Sequence, residues 1–413
     1  YEDEGEALLG RLQGMFAFAL WDAPRRRLLL ARDRLGIKPL YYFHEGERLL
    51  CASHVKALLA TGLVSPRLSP TGIETYLSYG AVSEPWTAID GVWALPAGHR
   101  AVFRDGELRV ERYWKPPARP TRALAPEEAA GELRVLLEDS VRHHLVSDAP
   151  LGVFLSGGLD SSVLAALAAQ HTGRLRTVSV VFDDPELSES RYSTLVAEHL
   201  GSEHVPLTLG PAELLAWLDD AFEAMDQPTF DGINTYVVAR AARETGLKVA
   251  LSGLGADELF DGYGYVRRVS VLERAGLLPA PLVPLAAGLA RRAGRDSRGE
   301  KLAAWFAGGA ERGMSYDLLR RLFPTDGVRR LLAGSVESPM RPPLLDPHGD
   351  LFNQVSVLEL GNYMKNVLLR DADSMTMANS IEARVPYLDD PLVAWALDIP
   401  GVAKGRAKAL LAA

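Results

Sequence analysis

The sequence predicts an α/β protein in two parts. A strand-rich α+β region covers residues 1–114, and a parallel-sheet α/β domain covers 126–413, with a proline-rich linker at 115–125. Three observations predict this. Before the linker, short β-branched and aromatic runs alternate with turn residues. After it, strand-length apolar runs alternate with segments of helical spacing, the pattern of a parallel sheet covered by helices. At residues 151–167 an apolar run passes through Ser156-Gly157-Gly158-Leu159-Asp160-Ser161-Ser162 straight into helical spacing.

In chain order, residues 12–20 are apolar and aromatic, the composition of a buried strand. The Trp21-Asp22-Ala23-Pro24 string turns the chain into a second strand at 27–32. Residues 40–43 and 48–53 read as a hairpin, and 99–103 with 107–113 as another around Arg104-Asp105-Gly106. Helical segments at 55–61 and 70–79 lie between them. The linker holds Lys115-Pro-Pro-Ala-Arg-Pro-Thr-Arg122. Beyond it, Leu133, Leu136, Leu137, Val141 and Leu145 place a helix over 126–145. Strands follow at 151–155, 176–182, 204–207 and 247–251, separated by helices at 161–171, 188–200, 211–223 and 234–244. From residue 266 the pattern is mostly helical, with Pro/Gly breaks at 278–284 and 339–347.

Composition narrows the function. A net charge of −8 argues against a general binder of nucleic acid or anionic membrane. No apolar stretch is long enough to span a bilayer, and the start lacks a signal-peptide pattern. Cys51 is the single cysteine, so no intramolecular disulfide forms, and the reading is a cytoplasmic protein. Tyr1 at the start, and a helical pattern that stops at Lys408-Ala-Leu-Leu-Ala-Ala413, read as a chain cut at both ends.

The chemistry starts at Ser156–Ser162. Glycines let backbone approach a phosphate, and the free N–H groups of a helix start point at it. Ser156, Ser161 and Ser162 add hydroxyls. Asp160 would repel a bare phosphate and so reads as a ligand for Mg²⁺ on that phosphate. No Gly-Lys-Ser/Thr follows, so this is not a Walker A loop. The string resembles the pyrophosphate loop of the ATP pyrophosphatases, which release pyrophosphate and transfer AMP. The loop alone does not choose among asparagine, GMP, NAD or argininosuccinate synthetases or the tRNA-modifying members.

The strand expected at 247–251 runs into Ser252-Gly253-Leu254-Gly255-Ala256-Asp257-Glu258. In a parallel sheet its turn opens on the same edge as the first loop. Ser252 and Gly253 could then meet the nucleotide, and Asp257 could face Asp160 across a metal; the alternative is a helix start with acidic residues favoured by its dipole. Residues 363–389 mix charges with Met375, Met377, Ile381 and Val385. They read either as a partly buried polar network or substrate pocket, or as a solvated helix face with salt bridges.

Four segments together resemble the glutamine-hydrolysing asparagine synthetase family: residues 12–22 with 32–42, 151–162, 252–263 and 374–389. The resemblance implies an ATP-pyrophosphatase (adenine nucleotide alpha-hydrolase-like) domain, preceded by the back part of an α+β N-terminal-nucleophile glutaminase domain. It implies that ATP and aspartate form β-aspartyl-AMP, which ammonia released from glutamine then attacks. By position, Phe154 and Val180 would line the adenine pocket, and Ser252 and Gly253 would touch ATP. Asp160 and Asp257 would hold Mg²⁺ and pyrophosphate. Lys408 resembles the family's late catalytic lysine, which steadies charge on the transferring phosphate. The resemblance also admits a homodimer.

The chain departs from the family in three places. Tyr1 is not the family's N-terminal cysteine nucleophile, and Cys51 sits inside a strand and reads as core, so the chain as given is expected not to hydrolyse glutamine. Leu254 stands where asparagine synthetases usually carry an acid, which opens the acceptor to another carboxylic acid or to ring closure, as in β-lactam synthetase. His54 stands where the family usually has Glu and reads as structural. A non-catalytic nucleotide-binding regulatory subunit is the reading from another class.

Overall fold

The computed structural model describes residues 1–117, 119–182, 190–293, 297–307, 313–332, 344–346, 348–405 and 408–413. The front region runs β1 (Ala17–Asp22), β2 (Arg27–Arg32), β3 (Tyr41–Glu45), β4 (Arg48–Ala52), α1 (Val55–Ala60), α2 (Pro70–Tyr79), β5 (Val92–Ala94), β6 (His99–Arg104) and β7 (Glu107–Arg112). These make a four-stranded antiparallel sheet in the order β1-β2-β6-β7 and a three-stranded sheet in the order β4-β3-β5. Both expected hairpins form. The first expected strand lies later than the sequence indicates, because Gly14 at φ 91° puts a bend into the apolar run. It is also not buried: β1 is a sheet edge, and Trp21 is 59% exposed.

Helix α2 shows local sequence acting directly. Ser69 accepts a hydrogen bond from the Gly72 N–H at 3.1 Å, Pro70 occupies the first turn, and Gly80 ends the helix in the left-handed region at φ 78°. Residues 113–125, apart from Ala118, contain no helix or strand. The segment is fastened at Thr121, whose N–H and hydroxyl both donate to Asp398 at 2.9 and 2.7 Å.

The second region continues with α3 (Pro126–His144), β8 (Leu151–Phe154), α4 (Leu159–His171), β9 (Arg176–Phe182), α5 (Ser190–Leu200), β10 (Glu203–Leu209), α6 (Pro211–Ala224), α7 (Gly232–Glu244), β11 (Val249–Leu251) and α8 (Ala256–Phe260). Helices α9 (Tyr265–Ala275), α10 (Val283–Ala293), α11 (Ser297–Ala307), α12 (Ser315–Arg320), α13 (Thr325–Leu331) and α14 (Leu351–Glu359) follow. A π-helical stretch, Leu360–Leu369, then leads into α15 (Arg370–Ala378), β12 (Glu382–Arg384), α16 (Asp390–Asp398), α17 (Gly401–Lys404) and α18 (Ala409–Ala412). The expected helix start at 188–189 and most of the break at 339–347 lie outside the described residues.

The sheet is parallel throughout, in the order β10-β9-β8-β11-β12. The chain runs outward from β8 through β9 to β10, then returns to the other side of β8 for β11 and β12. The strand order therefore reverses between β8 and β11, and a crevice opens there at the carboxyl ends of the strands. Strand β12 is not legible in the sequence: three residues, two of them charged, carry no period. Leu133, Leu137 and Val141 of α3 pack with Val153, Leu155, Leu164 and Leu251 in the main core.

The two regions meet through buried charge. Arg32 pairs with Glu84 at 2.6 Å and donates to the carbonyls of Gly36, Lys38 and Leu95. Glu84 also meets Lys365 of the π-helical stretch at 3.3 Å. Lys38 reaches Asp373 at 3.0 Å, and Arg370 donates to the Val82 carbonyl at 2.8 Å.

Leu164 is fully buried between α4 and the sheet. Leu164→Ala is expected to cost about 2–5 kcal/mol. A denaturation midpoint equal to that of the parent chain would show that the core there repacks freely.

Candidate functional site

The first loop forms where β8 stops. Leu155 N–H donates to the Val178 carbonyl at 2.9 Å, the chain turns through Ser156-Gly157-Gly158, and α4 starts at Leu159 with no side-chain cap. The N–H groups of its first turn are therefore left for an anion. Gly157 is required twice. Its φ is 83°, and a Cβ there would lie 2.6 Å from the Ser193 nitrogen and 2.7 Å from Tyr192 Cβ. The Ser156 and Ser161 hydroxyls lie 3.0 Å apart, and Ser161 Oγ accepts the Ser156 N–H at 3.2 Å. Ser162 Oγ donates to the Gly158 carbonyl at 2.8 Å.

The second loop follows β11. Ser252 N–H donates to the Arg384 carbonyl at 2.8 Å, so β12 holds the loop's start. Gly253 lets this loop close on the first: a Cβ would sit 3.1 Å from Asp160 Cβ. Asp257 and Glu258 fall in the first turn of α8.

The third contribution comes from the far end of the chain. Lys408 has φ 61°, and its N–H donates to the Phe260 carbonyl at 2.9 Å. Leu410 and Leu411 of α18 anchor it in the main core. Its ammonium bonds Asp160 Oδ2 and, at 2.7 Å, Asp257 Oδ1. Burial works against the charge on Lys408, but the two carboxylates outweigh it and raise its pKa. Burial raises the pKa of Asp160, Lys408 offsets part of that, and Asp257 adds to it. Asp160 Oδ1 is buried with no hydrogen-bond partner.

A cleft of about 520 Å³ opens on these groups. Phe154, Val178 and Val180 form an apolar side; Ser156, Gly158, Asp160, Ser161, Ser252, Gly253 and Asp257 form the polar side. Gly157, Leu159 and Ser162 shape the loop without lining the cleft. Ala372 and Thr376 of α15 and Ala383 of β12 close it, so the 363–389 segment contributes to the pocket. The same segment forms a partly buried polar network. Asp371 accepts the Thr229 hydroxyl at 2.7 Å, and burial pushes its pKa up to about 7. Leu254 lines the cleft and packs against the main core.

Cys51 is half-buried in β4, and burial pushes its thiol up, in keeping with a core role. His54 does not cap α1 with its side chain; Asp226 does, accepting the N–H groups of Val55 and Lys56 at 2.9 and 3.0 Å.

Three contributors are not legible in the sequence. Tyr387 is fully buried and donates to the Asp160 carbonyl at 3.1 Å. Glu258 is buried beside Asp257, accepts the Tyr263 hydroxyl at 3.0 Å on Oε1, and leaves Oε2 without a partner. Burial, with the nearby carboxylates of Glu359 and Asp257, pushes its pKa up to about 8. Gly262 leaves room for the lysine: a Cβ there would lie 1.6 Å from Asp257 Oδ1 and 2.4 Å from Lys408 Cε.

Among the described residues no group of three or more His, Cys, Asp or Glu is arranged to hold a metal. The donors present fit Mg²⁺ in its usual protein setting, one or two carboxylates completed by phosphate oxygens. The unpartnered Asp160 Oδ1 is the oxygen that such an ion would satisfy.

The sequence model described as asparagine synthase matches residues 132–411, and that of a glutamine amidotransferase domain matches residues 1–114. The chain is 34% identical to a putative glutamine-hydrolyzing asparagine synthetase of Mycobacterium tuberculosis, over 98% of this chain and 64% of that protein. It is 31% identical to glutamine-hydrolyzing asparagine synthetase 1 of Bacillus subtilis, over 98% of this chain and 65% of that protein. It is 26% identical to amidase chry2 of Gibberella zeae, over 98% of this chain and 66% of that protein. The chain thus spans just under two thirds of the length of these curated relatives.

Because Gly262 does not have a positive φ, Gly262→Ala tests packing without backbone strain. It is expected to push the Asp257 carboxylate away from the Lys408 ammonium and so to lower the Lys408 pKa followed by NMR, with little change in melting temperature. An unchanged Lys408 titration would show that this contact does not shape the site.

Proposed function

Because the chain belongs to the asparagine synthase family, we propose that its cleft carries out the ATP-dependent, AMP-forming amidation of aspartate to asparagine through β-aspartyl-AMP, with glutamine-derived ammonia as the nitrogen source. The observation that carries this reading is the convergence of Asp160, Asp257 and Lys408 beside an uncapped helix start. That arrangement suits a pyrophosphate leaving group.

In this reading Phe154, Val178 and Val180 receive the adenine, and the first turn of α4 with Ser156 and Ser161 holds the β- and γ-phosphates. Asp160 and Asp257 would hold Mg²⁺, which supplies neutralising charge to the departing pyrophosphate. The acceptor carboxylate attacks the α-phosphorus; a new P–O bond forms as the bond to the pyrophosphate oxygen breaks. Lys408 places its positive charge where negative charge grows on the phosphate. Ammonia then attacks the acyl carbon, the C–O bond to AMP breaks, and a proton leaves the nitrogen. Positioning and electrostatics do the work, and no protein nucleophile is needed. The domain boundaries we assign are 1–114, 115–125 and 126–413, and the reading takes the protein as cytoplasmic.

One observation favours a second reading. Leu254 presents an apolar side chain to the cleft, and it can neither pair with a cation nor take a proton. An acid other than aspartate, amidated or closed into a ring, fits this wall as well.

The deciding experiment is ATP–pyrophosphate exchange with each candidate acid, followed by addition of ammonium. Exchange dependent on aspartate, with asparagine appearing after ammonium, is the expected result. Exchange with another acid alone moves the function to the second reading. ATP binding without exchange for any acid overturns both and leaves a regulatory subunit. Lys408→Met is expected to lower exchange about 100-fold or more while ATP still binds.

A further inference from the structure

Ser179 of β9 and Ser193 of α5 are buried, and both line the nucleotide cleft. The proposed chemistry does not use them. Their Oγ atoms lie 3.4 Å apart. Behind them a polar chain runs back into the sheet. Ser179 Oγ meets His204 Nε2 at 3.2 Å, His204 Nδ1 meets Thr177 Oγ1 at 2.9 Å, and Thr177 Oγ1 meets Ser202 Oγ at 3.0 Å. A strand of a parallel sheet, covered on both faces, ordinarily carries an apolar run. In β9 the alternate positions Val178 and Val180 keep that character, while Thr177 and Ser179 depart from it.

These hydroxyls keep hydrogen-bonding sites free for a ligand. A hydroxyl offers one donor and two acceptor sites. Ser193 donates its proton to the Ser190 carbonyl at 3.1 Å or to Ser179, and nothing among the described residues donates to it. Both of its lone pairs remain. Burial lowers the pKa of His204, so the imidazole is neutral at neutral pH and carries one proton. Whichever ring nitrogen holds that proton, Ser179 uses one site on His204 and one on Ser193, and keeps the third.

The pair stands where the two parts of the cleft join. Ser179 lies between Val178 and Val180, on the side read as the adenine wall. Ser193 abuts the phosphate loop, since a Cβ on Gly157 would come within 2.6 Å of its nitrogen. In a nucleoside triphosphate the group that joins base to phosphates is the sugar. We propose that Ser179 and Ser193 receive the sugar hydroxyls of the nucleotide, with His204 as the positioning residue that fixes the Ser179 hydroxyl, so that the cleft selects ribonucleotides over deoxyribonucleotides. The proposal rests on the reading of the cleft as an ATP site and adds the group that the serines recognise. Ribose brings two donors to the free acceptor sites, whereas a sugar without them leaves the buried serines unpaired.

Calorimetric titration of the full chain with Mg²⁺-ATP and with Mg²⁺-2′,3′-dideoxy-ATP tests this. The parent chain is expected to bind ATP about tenfold more tightly, the worth of two ordinary hydrogen bonds. Ser179→Ala and Ser193→Ala are each expected to weaken ATP about threefold and to leave dideoxy-ATP unchanged, so the ratio falls. His204→Phe is expected to lower the ratio as well, and His204→Gln, which keeps a hydrogen-bonding group toward Ser179, to restore it. A disturbance of packing alone would weaken both nucleotides alike and leave the ratio where it was. No preference in the parent chain, or a ratio that survives in both serine variants, overturns the proposal. A ratio indifferent to His204→Phe overturns the positioning role. ATP–pyrophosphate exchange on the same variants separates the two claims. A sugar preference that the serine variants abolish, without exchange for any acid, keeps the sugar site and removes the amidation reading. Exchange with an undiminished ratio does the reverse.

Discussion

Two carboxylates facing one another in a half-buried cleft need a cation between them. Unit charges about 4 Å apart interact with about 4 kcal/mol at the effective dielectric of a protein surface. Asp160 and Asp257 meet this constraint through Lys408, whose ammonium bonds both. The arrangement joins three parts of the chain that are distant in sequence, and it sets demands on each. The first loop must bring Asp160 to the helix start, the second must approach it closely, and the last segment must deliver a lysine between them.

The fold meets those demands through topology and small residues. Strand order reverses between β8 and β11, so both loops leave the sheet side by side at its carboxyl edge. Gly253 then lets the loops touch, and Gly262 leaves room for the lysine stem. The front region adds a second fixed point. Lys38 and the Val82 carbonyl hold the start of α15, the helix that brings Ala372 and Thr376 to the cleft. The geometry of the cleft therefore depends on packing well outside it.

Local signals were readable from the sequence and non-local ones were not. The strand–turn–helix at 151–167 declares itself because glycine, serine and apolar period coincide within a short window. The hairpins and α2 are legible for the same reason: turn and cap residues act on their immediate neighbours. Strand β12 is not, since Glu382-Ala383-Arg384 has no period and becomes a strand only by pairing with β11. The edge position of β1 likewise depends on which strands pair, not on its apolar composition. Glu258 stands beside Asp257 with nothing in the sequence to mark it as buried. Tyr387 and Gly262 gain their roles from contacts that only the folded chain makes. The placement of Lys408 was accessible through resemblance alone.

The route by which Lys408 arrives carries a consequence of a different kind. The ammonium sits on a residue in the left-handed region, and the buried Leu410 and Leu411 that follow it fasten it to the main core. Each such leucine contributes about 1.5–3 kcal/mol by leaving water. The charge balance of the cleft is thus secured by apolar burial beside the lysine, outside the cleft itself. Whenever those leucines leave the core, Asp160 and Asp257 lose their shared cation together, so the electrostatics of the site breathe on the timescale of local unfolding rather than of side-chain motion.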